Sequence, residues 1–210
     1  MDFNDSQQEA AFRKEARDFL EANAEKRSII SDKPNDKSPQ IAVAGAPETV
    51  KGGKEAAQEA LERAKVWQKK KAEAGFAAIL WPKEFGGYGG SPIQQVIYSQ
   101  EEHDYLVPSG YFEIGIGMLG PTMMVWGKDE DKKRYLPKMI TGEEIWCQLF
   151  SEPSAGSDLA GIKMKAEKDG DEWVLNGQKV WTSGAHFADY GMIVARSDPS
   201  ALKHRGLTYF

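Results

Sequence analysis

Cysteine is nearly missing from this chain. Cys147 is the single one in 210 residues, so no internal disulfide can form, which fits a reducing cytoplasm. Histidine is scarce as well: His103, His186 and His204 lie scattered without metal-ligand spacing, and no metal is expected. Cationic charge is not in excess, since 27 Lys and Arg stand against 32 Asp and Glu, for a formal net charge of -5, with the two signs mostly interleaved. Nucleic-acid recognition needs clustered cations, so that class is set aside. No apolar run approaches the roughly 20 residues of a bilayer span. The start, with Asp2, Asp5 and Glu9, has neither the basic flank nor the apolar stretch of a secretory leader. A cytoplasmic protein without a membrane span is expected. Gly-Lys-Ser and Gly-Lys-Thr are absent, which excludes a P-loop, and Gly115-Ile-Gly117 lacks the preceding strand and third glycine of a dinucleotide fingerprint.

What is present is an ordinary globular composition, 40% hydrophobic and 28% charged, long enough for one or two domains. The first half reads as helical. Ser6 and Glu9 have capping-box spacing, and Phe12, Ala16, Phe19 and Leu20 recur at helical intervals, giving a helix from Ser6 to about Arg27. Ser28 to Gly53 is rich in Ser, Asp, Lys and Pro and reads as a flexible insertion. A second helix over Lys54 to Ala74 sets Ala57, Ala60, Leu61, Ala64 and Trp67 on one face and stops at Gly75. Trp81-Pro82 followed by four glycines before Ser91 must be a loop folded against something. Ser91 and Pro92 open a third helix to about Tyr105, and Ser109 caps an apolar fourth over Gly110 to Leu119 that should be buried. Pro121 to Gly127 and the acid-led Asp129 to Met139 complete the helical part.

At Ile145 the period changes. Ile-Trp-Cys-Gln-Leu-Phe reads as a strand, and Ser151-Glu-Pro-Ser-Ala-Gly-Ser157-Asp follows it as a tight loop of small and polar residues. Such a loop lets backbone approach a large polar ligand closely, yet the same residue types populate turns for local reasons alone, and the residues by themselves leave both readings open. Alternation at Ile162, Met164 and Ala166, then Asp169-Gly170, Trp173-Val-Leu, Asn176-Gly177 and Lys179-Val-Trp predicts an antiparallel meander with hairpins at both Gly pairs. Gly191 to Arg196 and Gly206 to Phe210 add two strands. Cys147 is read as a buried thiol.

A helical region, then a strand bearing Phe-Ser-Glu-Pro-Ser-Ala-Gly-Ser-Asp, then Gly-Gln-Lys-Val-Trp-Thr-Ser-Gly, resembles the acyl-CoA dehydrogenase family of flavoproteins. The likeness extends to Trp81-Pro-Lys-Glu-Phe-Gly-Gly and to His204-Arg-Gly-Leu207, so it covers nearly everything outside Ser28 to Gly53. It implies an α+β fold with an all-helical N-terminal domain over residues 1–143 and an antiparallel, barrel-like β domain begun over 144–210 and incomplete at the C-terminus. The family's C-terminal helical domain would be absent, so the polypeptide would continue or another chain would supply the rest.

The resemblance further implies FAD as cofactor. Gln148, Leu149, Phe150, Ser151, Gly156 and Ser157 match the stretch that touches the flavin and the pyrophosphate side, with Ser151 at the pyrimidine edge and Ser157 also toward the acyl-CoA. Trp181, Thr182 and Ser183 match the run whose aromatic ring lies against the flavin and whose last hydroxyl reaches N5. Neutral donors there suit a ring that becomes electron-rich on reduction, and an aromatic wall excludes water. The implied reaction removes an α-proton and a β-hydride from an acyl-CoA thioester to give a trans-2-enoyl-CoA, with electrons leaving to an electron-transfer flavoprotein and the enzyme forming a homo- or hetero-oligomer. The family's base belongs to its C-terminal domain, so no catalytic residue is assigned here, and Glu152 is read as bracing its loop. Ser154 stands where Gly is frequent, and Thr182 where an aliphatic residue is usual. Two alternatives stand beside this reading: a non-catalytic half or scaffold subunit that needs a partner chain, and a related acyl-CoA oxidase or nitroalkane oxidase type of flavoenzyme.

Overall fold

The structure is a computed structural model that describes residues 4–27 and 53–210; the expected insertion therefore falls outside the described residues, apart from Gly53. The chain divides into two compact units, Met1–Glu144 and Ile145–Phe210.

The first unit is built from helices whose ends are written locally. Helix α1 spans Gln7–Asn23, and Ser6 caps it: its hydroxyl accepts from the Glu9 amide while the Glu9 carboxylate accepts from the Ser6 amide. Phe12, Ala16 and Leu20, each one turn on from the last, are its buried residues. Helix α1 ends three or four residues short of expectation. The chain there forms a two-residue strand, β1 (Glu25–Lys26), antiparallel to β2 (Tyr105–Leu106), so this unit is not helical throughout. Helix α2 (Gly53–Glu73) stops before Gly75, which takes φ 84. Helix α3 (Pro92–His103) repeats the capping box with Ser91 and Gln94. Phe12 and Ala16 of α1 pack with Ile97 and Tyr98 of α3 and with Phe76 and Ile79. On the same face the Glu101 carboxylate accepts from Arg13 and Arg17.

Helices α4 (Gly120–Trp126) and α5 (Asp129–Thr141) follow. The expected cap at Ser109 is replaced by Glu113, whose carboxylate accepts from the Gly110 and Phe112 amides. Gly115–Leu119 winds as a π-helix leading into α4, with the Gly120 amide donating to the Gly115 carbonyl. That shift leaves the Ile116 carbonyl without its ordinary donor, and the next candidate, Pro121, has no N–H. The buried indole of Trp81 supplies the missing bond, Nε1 to Ile116 O, at 2.8 Å. A Cβ on Gly120 would sit 1.9 Å from Trp81 Cζ2, so glycine is required there for the ring to fit. Only part of the apolar 110–119 stretch is buried: Ile114 and Leu119 are, while Met118 is exposed. Buried Gln68 of α2 donates to the Ile140 carbonyl, tying α2 to α5.

The second unit is a five-stranded mixed sheet: β3 (Trp146–Leu149), β4 (Lys165–Asp169), β5 (Glu172–Asn176), β6 (Tyr190–Arg196) and β7 (Leu207–Tyr209). Ile162, Met164 and Ala166 are buried, as their alternation predicts. The Asp-Gly hairpin forms, with Asp169 opposite Glu172. The Asn-Gly hairpin does not. Gly177 instead passes so near Met164 that a Cβ would lie 2.8 Å from its Cα, and Lys179–Trp181 runs on without strand pairing. Nor is the sheet purely antiparallel, because β3 and β6 pair in parallel and β4 meets β6 in parallel at Lys165 and Arg196. No closed barrel is formed among the described residues. The Arg196 guanidinium donates to the carbonyls of Ala160, Ile162 and Lys203, and so joins the loop before β4 to the loop after β6.

Candidate functional site

The site residues read from the sequence all lie in the second unit, on and after β3. Gln148 faces Met192 and Leu149 faces Ile193 across the parallel pairing with β6. The half-buried Leu149 packs over Gly191, its Cδ1 lying 2.4 Å from where a Cβ on that residue would be. Phe150 packs against the buried cluster of Ala155, Ile162 and Val194. Beyond it the chain turns tightly, since the Glu152 amide donates to the Ala155 carbonyl at 2.8 Å and the Ala155 amide returns to Glu152 O at 3.1 Å. Gly156 and Ser157 follow this turn and are exposed. A Cβ added to Gly156 would meet nothing within 4 Å. Ser154 does not have positive φ; among the described non-glycine residues only Trp181 and Lys203 do. The departure at Ser154 therefore carries no left-handed strain.

The second segment meets the first at the strand's end. The Val180 amide donates to the Ser151 carbonyl at 2.9 Å. Lys179 Nζ donates at 2.9 Å both to the Phe150 carbonyl and to Glu152 Oε1. The other end of the segment is anchored at the opposite end of β3: the Asp189 amide donates to Ile145 O, and the Asp189 carboxylate accepts from the Ile145 amide, both at 2.8 Å. The stretch carrying Trp181, Thr182 and Ser183 is thus slung between the two ends of β3. Trp181 occupies the left-handed region at φ 59 with 91% of its surface exposed. Among the described residues, the hydroxyls of Ser151, Ser157, Thr182 and Ser183 make no hydrogen bond within the chain.

Glu152 is a brace. Its buried carboxylate accepts from the Lys163 amide at 2.6 Å, the Met164 amide at 3.0 Å and Lys179. Burial alone would raise its pKa, but those donors outweigh it and hold the group below the usual carboxylate range. Burial pushes the Cys147 thiol up, away from the thiolate that a nucleophile needs. Lys179 and Asp189 are structural members of the site that sequence reasoning passed over. Lys179 was visible inside the Gly-Gln-Lys-Val-Trp motif, but nothing in the sequence marks Asp189.

A helical unit leading into a mixed sheet, with a small-residue turn at the end of its first strand and an exposed indole hung beside that turn, defines a class as well as a shape. Two family models match in chain order: the acyl-CoA dehydrogenase N-terminal domain over residues 46–143 and the acyl-CoA dehydrogenase middle domain over 147–210. The chain belongs to the acyl-CoA dehydrogenase family. It is 40% identical over 158 residues to the acyl-CoA dehydrogenase IpdE1 of Mycobacterium tuberculosis (strain ATCC 25618 / H37Rv), an alignment covering 75% of this chain and 41% of that protein. Among solved structures, the Tcur3481-Tcur3483 steroid ACAD aligns over 100% of this chain and 48% of its own, at 31% identity and TM-score 0.72. The ChsE4-ChsE5 complex from Mycobacterium tuberculosis aligns over 100% of this chain and 47% of its own, at 31% identity and TM-score 0.68. The chain spans less than half the length of these relatives.

Proposed function

We propose that this chain carries part of the flavin site of an enzyme that dehydrogenates an acyl-CoA thioester to a trans-2-enoyl-CoA and passes the electrons to an electron-transfer flavoprotein. The observation that carries the reading is the Val180–Ser151 bond, which brings the two motif segments together beside an exposed Trp181. The residue types suit FAD: the two segments carry neutral hydroxyls and an exposed flat aromatic, with open space at Gly156, and the nearby Lys179 and Glu152 charges neutralise each other. FAD, when bound, would supply the two-electron acceptor for the β-hydride. Ser151 and Ser183 would donate to its ring system, Trp181 would cover one face and exclude water, and Gln148, Leu149, Phe150, Gly156, Ser157 and Thr182 would form the remainder of the wall, with Ser157 also toward the thioester.

No residue described here is assigned the α-proton. A carboxylate base held in a dry site is needed for it, and Glu152 is already committed to three donors. Two of the solved neighbours are named as two-component proteins, which supports a second polypeptide as partner, and membership of the family supports an acyl-CoA as substrate; the steroid class named for one of them is the first substrate class to try. The natively purified protein, with any chain that accompanies it, is expected to be yellow and to bleach anaerobically on addition of an acyl-CoA. A colourless protein that takes up no FAD would overturn the reading, and rapid oxygen consumption during turnover would replace the electron-transfer flavoprotein with an oxidase chemistry.

A further inference from the structure

We infer that the buried Lys179–Glu152 ion pair is a positioning device: it sets the Trp181–Ser183 segment against Ser151, so that its loss weakens FAD binding although neither side chain touches the cofactor. The inference rests on the flavin reading above. The two side chains are 4% and 5% exposed, so this pair is withdrawn from water rather than solvated at the surface. Withdrawing two charges is costly, and a pair of this kind is tolerated only where further hydrogen bonds satisfy both ends. Here they do. Lys179 adds the Phe150 carbonyl, and Glu152 adds the amides of Lys163 and Met164.

Both acceptors of the ammonium, the Phe150 carbonyl and the Glu152 carboxylate, lie just past the end of β3, one residue to either side of Ser151, and the Lys163 and Met164 amides hold that carboxylate from the chain leading into β4. The segment starts from Asn176, paired with Lys165, and Gly177, packed on Met164, and among the described residues the backbone bond that ties it to the turn after β3 is Val180 to Ser151. Two residues after the inward-turned Lys179, the backbone enters the left-handed region and the indole of Trp181 points into solvent. The direction in which that ring projects is therefore set where the ammonium is clamped. A carboxylate that merely stabilised the sheet would not need its cation on the flavin-facing segment.

The test uses the full natively purified protein, stripped of flavin and titrated with FAD. The variants are Lys179→Met with Glu152→Gln, which removes both charges together and so leaves no unpaired one buried, and Lys179→Arg, which keeps the charge but replaces the compact ammonium that serves both oxygens with a larger planar guanidinium. The double variant is expected to remain folded by circular dichroism, to bind FAD at least about tenfold more weakly, and to lose the fine structure of the flavin absorption band. Lys179→Arg is expected to lie between it and the wild type, about threefold weaker, and this variant decides the matter should the double variant not fold. Dissociation constants within about twofold of wild type, with an unchanged flavin spectrum, would overturn the inference. A wild-type protein that takes up no FAD would instead bring down the flavin reading beneath it.

Discussion

Two tryptophans sit in the chain's two motif loops and meet opposite fates. Trp81 in the helical unit is 2% exposed, its indole N–H is bonded, and Gly120 leaves room for its ring. Trp181 in the sheet unit is 91% exposed on a backbone conformation that L side chains avoid. Burying a Trp side chain is among the most favourable single contributions a core receives. Trp81 therefore contributes to the core of its unit, whereas Trp181 contributes next to nothing to its own, so the two indoles answer to different tests. A similar contrast separates Glu101 and Glu152, the two buried carboxylates among the described residues. Glu101 is held by two arginines, one of them half in solvent, whereas Glu152 is held by two backbone amides and a buried ammonium.

The largest expected effect breaks the contrast at its buried end. Trp81→Ala should destabilise the helical unit by about 3–5 kcal/mol, the usual cost of deleting a buried large aromatic. Loss of the indole donor to the Ile116 carbonyl adds to it, so fast amide exchange over 115–120 is expected to accompany the loss in a hydrogen-exchange measurement. Unchanged protection there would mean that the π-helix does not depend on the indole.

The carboxylates come next. Glu152→Gln leaves a buried ammonium unpaired and is expected to cost about 3 kcal/mol, while Glu101→Gln, whose arginines can turn to water, should cost about 1 kcal/mol. Both native carboxyls lie below the usual range. For Glu101 the bonds from Arg17 lead, with burial opposing and Arg13 assisting; for Glu152 burial opposes and the amide and ammonium donors prevail. A depressed folded value means that the stabilisation is fully present above the unfolded pKa near 4.3 and is lost as pH falls through the folded value. Urea denaturation at pH 7 and again below pH 4 should therefore show the wild-type advantage over both variants shrinking in acid. A gap that widened on acidification would reverse the assigned sign.

How far the sequence alone reaches follows from the same contrast. Helix ends in the first unit depend on residues three apart, so Ser6 with Glu9 and Ser91 with Gln94 could be read directly. The small strand pair β1–β2 could not, because Lys26 meets Tyr105 across most of the helical unit and neither residue carries a strand pattern. In the second unit the alternation marked the buried face of β4, but pairing partners are chosen at a distance: nothing near Trp146 announces that it lies beside Tyr190. The Asn-Gly hairpin failed for a physical reason, since Lys179 gains a buried carboxylate and a carbonyl at the end of β3 that no fold-back onto β5 would offer. For the site, the residues named their chemistry only through resemblance, and the adjacency of Ser151 and Val180 came from the three-dimensional structure.

The smallest expected effect on stability falls at the exposed tryptophan, and there it is the most informative. Trp181→Gly removes a side chain that packs on almost nothing and relieves a left-handed residue of a strain of about 1 kcal/mol, while glycine's extra freedom in the unfolded chain costs about as much in return. The two terms nearly cancel, so unfolding should shift by no more than about 0.5 kcal/mol. Affinity for FAD should nevertheless fall, because the face that would lie against the flavin is gone. Thermal unfolding and FAD titration on one preparation separate the two: a large drop in stability would show that Trp181 belongs to the fold after all, and the contrast with Trp81 would vanish.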